Sequence, residues 1–465
     1  MIIKIKGFHI PTFQGETYSR RIGSTEVILP RLSADDISRA CDHLMDKGRD
    51  ILQRYTTDQL AEIFGMAADF WQQDDTDQKA EVVVAISDLT GLSRLVVCSS
   101  ITVEQGNSAS RDILAAMDRD LGSHRCLDHF WFDPHLAGQT RAFGPRLTSA
   151  VLTANVPGLS YLPMVRALMV KSPLIAKLAS NEPIFGPAWI KSVAAIEPPL
   201  AEAVALCHWQ GGNEALQKAM FDPAEVAILY GGEATCRSLR QAIGPHKKII
   251  EHGHKIGLLM VGREGLRDQE SARELARRIA LDVAMFDQRA CVAPQIVYVE
   301  RDGAVSTLEF TRFVEDALIE LEGKLPPSSL SVDSGASLAM ARNVALFEAA
   351  QHQEMELFAR SSATLIHEKE AHFDTVLPTR FLRVCPVQEL ADALPLLQPF
   401  STYLQNVGIE ADQTRINTLA AELGAMGVSR ITRPGLMHRP TMRWKHDGTA
   451  PFSDLVRWTD IELEV

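Results

Sequence analysis

Between residues 33 and 77 apolar positions recur at helical spacing. Ile37, Leu44, Ile51 and Leu52 fall on a common face, and Ser33 stands ahead of Asp35 and Asp36 as an N-cap does. From about residue 148 the period changes. Short apolar runs, S-A-V-L-T-A-N at 149–155, P-L-I-A-K-L at 173–178, E-V-A-I-L-Y at 225–230 and K-I-I-E at 248–251, alternate with helical stretches. Such alternation predicts a parallel, doubly wound sheet covered on both faces. Two of these runs lead straight into turn residues, N-V-P-G at 155–158 and G-G at 231–232. Open sheets bind ligands beyond the C-termini of their strands, so these turns predict a ligand crevice.

A second alternating block opens near 255 with K-I-G-L-L-M-V. It continues through a long helix, S-A-R-E-L-A-R-R-I-A-L-D-V-A-M-F, into the strand P-Q-I-V-Y-V at 294–299. Helices are predicted over 306–323, 334–358, 387–397 and 411–425, and strands near 362–366 and 380–387. The tail after Thr432 is rich in Pro, Gly and His and ends in D-I-E-L-E-V, a strand suited to pairing with the edge of a neighbouring subunit. The expected organisation is an α/β chain with a Rossmann-type domain over 1–254, a second α/β domain over 255–440 and a tail over 441–465. No internal repeat interrupts it.

A formal net charge of −12 with scattered basic residues argues against nucleic acid or an anionic membrane as partner. Seven cysteines, an odd number with no C-x-x-C pair, favour neither a disulfide framework nor a structural zinc site, and place the chain in the reducing cytosol. The N-terminus lacks an apolar core of signal length, and no stretch approaches a bilayer span, so a soluble protein is expected. His252 and His254 alternate along a strand and do not read as a metal pair.

The chemistry concentrates at F-D-Q-R-A-C-V-A-P, 286–294, where Cys291 lies between a long helix and a strand, flanked by small residues that leave its thiol reachable. A cysteine taken alone is more often a small buried apolar residue. The context lifts this one: the segment resembles the G-Q-x-C nucleophile motif of aldehyde dehydrogenases, and D-Q-R-A-C resembles the long-chain fatty acyl reductases of the LuxC family. T-A-N-V-P-G at 153–158, K-L-A-S at 177–180, the glycines 231–232, E-H-G-H-K at 251–255 and K-H-D-G-T-A-P at 445–451 agree in order and approximate spacing. The resemblance spans roughly 150–460.

It implies an aldehyde dehydrogenase-like fold and reduction of a fatty acyl thioester to an aldehyde by NADP(H). Cys291 would be the nucleophile, Asn155 the amide donor to the oxyanion, and Glu251 the counterpart of a general base. Lys177 and Ser180 would meet the adenosine ribose, and Gly231 and Gly232 the pyrophosphate. Ser180 stands where NAD-dependent relatives carry a glutamate, which implies NADPH over NADH, although Glu182 lies close by. A thiolate needs a pKa below the ordinary value of about 8.5, and Arg289 is one source of positive charge. The resemblance also implies a homo-oligomer, formed through a hairpin near 128–150 and the C-terminal strand, and an acyl-protein synthetase as partner.

Two other readings share these residues. One is an aldehyde dehydrogenase that oxidises an aldehyde and hydrolyses its acyl-enzyme with Glu251 as base. The other is an acyl-relay subunit that performs no hydride transfer. Neither His446 nor Asp447 has a role legible in the sequence.

Overall fold

The computed structural model describes residues 2–74, 76–133, 138–351, 355–373 and 379–462. The chain forms two compact units, one from Met1–Thr90, Ile101–Gly253 and Thr441–Val465, the other from Gly91–Ser100 and His254–Pro440.

The first unit begins with a three-stranded sheet, β1 (Ile3–Lys6), β2 (Thr17–Ile22) and β3 (Thr25–Pro30), in the order β1-β3-β2. Helix Ala34–His43 follows. Its capping box is complete: the Ser33 side chain accepts from the Asp36 N–H, and the Asp36 side chain accepts from the Ser33 N–H. A second sheet joins β4 (Trp131–Asp133), β5 (Gly138–Phe143) and the C-terminal strand Arg457–Ile461. That strand pairs antiparallel with β5 of its own chain, Trp458 opposite Ala142. The expectation of a neighbour's edge is therefore corrected: residues 441–455 dock on this same unit and deliver the strand to a nearby edge. Residues 134–137 of the expected hairpin lie outside the described residues.

The main sheet of this unit comprises β6 (Thr148–Val151), β7 (Leu174–Lys177), β8 (Val204–Cys207), β9 (Val226–Tyr230) and β10 (Lys248–His252), all parallel, in the order β10-β9-β6-β7-β8. Strands β6 to β9 are buried at every position, which their apolar runs require. One face packs Ile175, Ala205 and Leu229 against Ile37 and Leu44, Leu216 and Phe221, and Leu239. The amphipathic helices thus bury their apolar stripes there, each large side chain contributing about 1.5–3 kcal/mol. Because β6 is followed by β7 on one side and flanked by β9 on the other, the strand order reverses between β6 and β9. The loops after these two strands border the crevice where doubly wound sheets bind ligands.

The second unit is built on seven strands, β11 (Ile256–Val261), β12 (Pro294–Glu300), β13 (Glu356–Ala359), β14 (Thr364–His367), β15 (Phe381–Val387), β16 (Leu404–Glu410) and β17 (Arg430–Thr432), in the order β13-β14-β15-β12-β11-β16-β17. Only β13 runs antiparallel to its neighbour. The predicted helix over 334–358 is shorter, Val332–Gln351, and Glu356–Ala359 is a strand. Pairing with Thr364–His367 claims these residues, whose apolar pattern fits either period. The predicted helix over 387–397 is also broken. Pro395, which has no N–H, separates the turn Leu390–Ala393 from the short helix Leu394–Leu397. No single described helix is long and apolar enough to cross a membrane.

Candidate active site

Cys291 belongs to the second unit and lies just beyond helix Gln269–Ala284. Between them Phe286, Asp287 and Gln288 take left-handed backbone conformations, φ 55°, 55° and 58°. Such conformations are unfavourable for bulky residues and persist where the surroundings over-determine them. Here they do. Arg380 donates from Nε to Asp287 Oδ1 at 2.5 Å, both side chains being buried, and the Ser328 hydroxyl donates to Asp287 Oδ2. Gln288 acts as a strand residue would: its Nε2 donates to the Pro294 carbonyl at 2.8 Å and the Phe381 carbonyl at 2.9 Å, and its Oε1 accepts from the Phe381 N–H at 2.7 Å. The Arg289 guanidinium donates to Ser328 Oγ at 2.8 Å and lies 3.7 Å from Asp287. Cys291 is partly exposed, like Cys98, whereas Cys41, Cys126, Cys207, Cys236 and Cys385 are buried.

The other residues singled out by sequence lie in the first unit, on loops after its parallel strands. Asn155 follows β6 and is half-buried; the Thr153 hydroxyl donates to its Oδ1 at 2.8 Å, which orients the amide by its carbonyl end. Gly158 in the same loop has φ +94°, and a Cβ there would meet Ile101 Cα at 3.2 Å, so glycine is required. After β9, the Gly231 N–H donates to the His252 carbonyl at 3.2 Å. Exposed Gly232 is the N-cap of helix Glu233–Ala242, with no side chain capping the first turn. Glu251, on β10, does not stand alone: Arg240 Nε lies 2.5 Å from its Oε2.

Lys177 ends β7 and is only 8% exposed. Its Nζ is 3.4 Å from the Leu178 carbonyl and 5.7 Å from the centre of the Trp209 ring, and burial draws its pKa down. Ser180 is exposed. Glu182 is turned away from solvent: its Oε1 accepts from the Ile184 and Phe185 N–H groups at 2.7 and 2.8 Å, at the start of helix Phe185–Ile196. Burial lifts its carboxyl to about 7 against those two hydrogen bonds.

Sequence reasoning missed one cluster. Asp447 reaches His252, with Oδ2 2.8 Å from Nδ1. The rings of His252 and His446 stack at 4.2 Å and 13°, Tyr230 stacks on the far side of His252 at 4.6 Å, and Trp444 lies 4.5 Å from His446. Among the described residues, His252, His446 and Asp447 are the one group of three metal-capable side chains whose ligand atoms lie within 4.8 Å of one another. Imidazoles bind metals in the ring plane, and near-parallel stacked rings do not aim those planes at one ion. The arrangement is a hydrogen-bonded aromatic stack that fastens the 445–448 turn to the end of β10. His254 is exposed and takes no part. A separation of 195 residues between His252 and Asp447 left no local signal.

These units have the fold of the aldehyde dehydrogenases. The chain is similar to an oxidoreductase from Marinobacter aquaeolei (TM-score 0.73, 12% identity, covering 98% of this chain and 97% of that one). It is likewise similar to an NADP-dependent glyceraldehyde-3-phosphate dehydrogenase from Bacillus halodurans C-125 (TM-score 0.72, 14% identity, covering 97% and 96%). Residues 52–458 match the family described as acyl-CoA reductase (LuxC), and the chain belongs to that family of oxidoreductases. Among its relatives, a long-chain acyl-protein thioester reductase of Aliivibrio fischeri is 25% identical over 349 residues, 74% of this chain and 69% of the relative. The long-chain acyl-protein thioester reductase 2 of Photobacterium leiognathi is 22% identical over 371 residues, 79% of this chain and 72% of the relative.

Proposed function

We propose that this chain reduces a fatty acyl thioester to the aldehyde with NADPH through an acyl-cysteine on Cys291. The observation that carries the reading is a partly exposed cysteine in D-Q-R-A-C, held by a buried, hydrogen-bonded left-handed segment, in a chain of the acyl-CoA reductase family. The Cys291 thiolate attacks the thioester carbonyl carbon, the bond to the carrier sulfur breaks, and the carrier thiolate leaves and takes a proton. One thioester replaces another, so this step is nearly isoenergetic. NADPH, when bound, supplies the hydride that reduces the acyl carbon. The thiohemiacetal then loses its hydroxyl proton and the carbon–sulfur bond breaks, releasing aldehyde and restoring Cys291.

The remaining roles follow the family resemblance. Asn155, its amide oxygen held by Thr153, donates to the carbonyl oxygen as charge develops; one such donor is worth about 10²–10³ in rate. Gly231, Gly232 and the uncapped helix start after them receive the pyrophosphate. Lys177 and Ser180 meet the adenosine ribose. The turning of Glu182 into its helix start removes the nearest carboxylate from that role and supports NADPH, since a carboxylate would repel a 2′-phosphate. Commitment of Glu251 to Arg240 supports reduction over hydrolysis of the acyl-enzyme. The carrier is coenzyme A or a protein, the latter in line with the relatives' names, and with it an acyl-protein synthetase partner, a cytoplasmic location and a homo-oligomer are part of the reading.

The test is to mix the purified protein with acyl-CoAs of graded length and NADPH or NADH, following nicotinamide absorbance and trapping aldehyde, with Cys291→Ala as control. Aldehyde formed with NADPH and lost in Cys291→Ala is the expected result. Free fatty acid without reductant consumed would replace reduction by a hydrolytic cycle, and a persistent acyl-enzyme would indicate a relay.

A further inference from the structure

The end of β8 carries hydrogen-bond donors with nothing to receive them. His208 is 6% exposed, and neither of its ring nitrogens completes a hydrogen bond; Trp209 is 5% exposed, and its Nε1 is likewise without an acceptor. Native proteins rarely leave such groups unmet, and two in succession beside a buried ammonium mark a place for an acceptor-rich ligand. That ammonium is Lys177. Strands β7 and β8 pair with Lys177 opposite Cys207, so Lys177 and His208 leave adjacent strands at the same end of the sheet. The Lys177 ammonium lies over the Trp209 ring and is itself buried.

The charges around His208 have one sign. Burial first, then Lys177 and Arg20, hold its pKa down at about 4, against weak support from the backbone of Ser180 and of His208 itself. The ring is therefore neutral near pH 7 and offers one N–H. The closest carboxylate along this loop, Glu182, is engaged by the backbone of Ile184 and Phe185. A ribose diol calls for an acceptor such as a carboxylate; this cluster supplies donors and positive charge instead, which suits a phosphate. The chain runs on from Trp209 through Gln210–Glu214, which line a surface hollow of about 570 Å³, so the buried donors border a concavity.

We infer that Lys177, His208 and Trp209 together hold the 2′-phosphate of NADPH, and that His208 and Trp209 are the residues that set its preference over NADH. This rests on the NADPH reading above and names the donors that would carry it out.

Binding, rather than turnover, tests the inference. Adenosine 2′,5′-bisphosphate, 5′-AMP, NADPH and NADH are titrated calorimetrically into the full chain and into His208→Leu, His208→Asn and Trp209→Phe. Wild type is expected to bind the bisphosphate at least ~10-fold more tightly than 5′-AMP, the worth of about one charge-assisted hydrogen bond. His208→Leu and Trp209→Phe should each lose about that factor for the bisphosphate and leave 5′-AMP within roughly twofold, with His208→Asn, which keeps an N–H, recovering part of it. Thermal denaturation without ligand confirms that each variant is folded. Variants that keep the wild-type preference would overturn the inference and leave the NADPH reading standing. Wild type that binds both mononucleotides equally, and NADH as well as NADPH, would remove the subsite and the cofactor preference together. Failure of either dinucleotide to bind would bring down the reductase reading itself.

Discussion

Arg240 and Glu251 form an ion pair, Nε to Oε2 at 2.5 Å, which ties helix Glu233–Ala242 to strand β10. The glutamate thus has a fixed partner across the turn that follows Gly231 and Gly232. Removing the arginine should expose its latent chemistry. Arg240→Leu is expected to raise the ratio of free fatty acid to aldehyde in the acyl-CoA assay, and Glu251→Gln to leave aldehyde formation within about tenfold, the low end of what a general base contributes. Because Arg240 is 60% exposed, the pair is worth at most about 1 kcal/mol and neither change should unfold the protein. An unchanged product ratio, with aldehyde formation abolished in Glu251→Gln, would instead assign Glu251 to the reduction itself.

The thiols divide into two classes that a reagent can count. Burial pushes the Cys41 thiol up to about 12 and those of Cys126 and Cys236 up to about 11, and holds Cys207 well above its ordinary value. A disulfide reagent at pH 7.5 (about one unit below an ordinary thiol) should titrate two thiols in the native protein, Cys98 and Cys291, and seven in denaturant. Cys291→Ala should leave one. A third fast thiol in the native state would contradict the burial of the other five.

The Asp287–Arg380 pair supports the left-handed segment before Cys291 and is buried on both sides, 2% and 4% exposed. Truncating one partner strands the other charge in the interior. Asp287→Ala is expected to cost about 3–5 kcal/mol in urea denaturation, more than any exposed ion pair in the chain. A loss under about 1 kcal/mol would mean that the segment holds its shape without the pair.

Stability should depend on pH through Glu104. Its carboxyl is buried and lifted to about 8 by desolvation, against an ordinary value of 4.5. Between these values the folded chain keeps a proton that the unfolded chain has lost, so the stabilisation is complete below about pH 4.5 and declines as pH rises toward 8 by up to about 1.4 kcal/mol per unit. Glu104→Gln, which stays neutral, should flatten this decline and be the more stable form at pH 8 and above. Equal slopes of urea midpoint against pH for the two proteins would show that Glu104 ionises freely in the folded state.

Much of the architecture was legible in the sequence because its signals are local. The runs at 149–155, 173–178 and 225–230 are apolar without interruption, as strands buried on both faces must be, and each coincides with a parallel strand. Ser33 and Asp36 lie three residues apart, so their capping box is visible at once. Glu356–Ala359 was misread because an apolar tetrapeptide satisfies both periods until a partner strand claims it. Among the site residues, Cys291 was found through D-Q-R-A-C, whereas the orphaned donors of His208 and Trp209 had no sequence signature, since nothing local says what a side chain fails to meet.

The sequence alone determined the family, the alternating α/β plan and the identity of the exposed nucleophile candidate, all properties carried by neighbouring residues or by contiguous motifs. Which charges meet was decided only by the tertiary structure. Asp287 and Arg380 are 93 residues apart and His252 and Asp447 are 195 apart, and Glu182 turns inward because two backbone N–H groups at a helix start await it. Electrostatic and hydrogen-bond partners are chosen by distances of a few ångströms in space, and separation along the chain does not encode them.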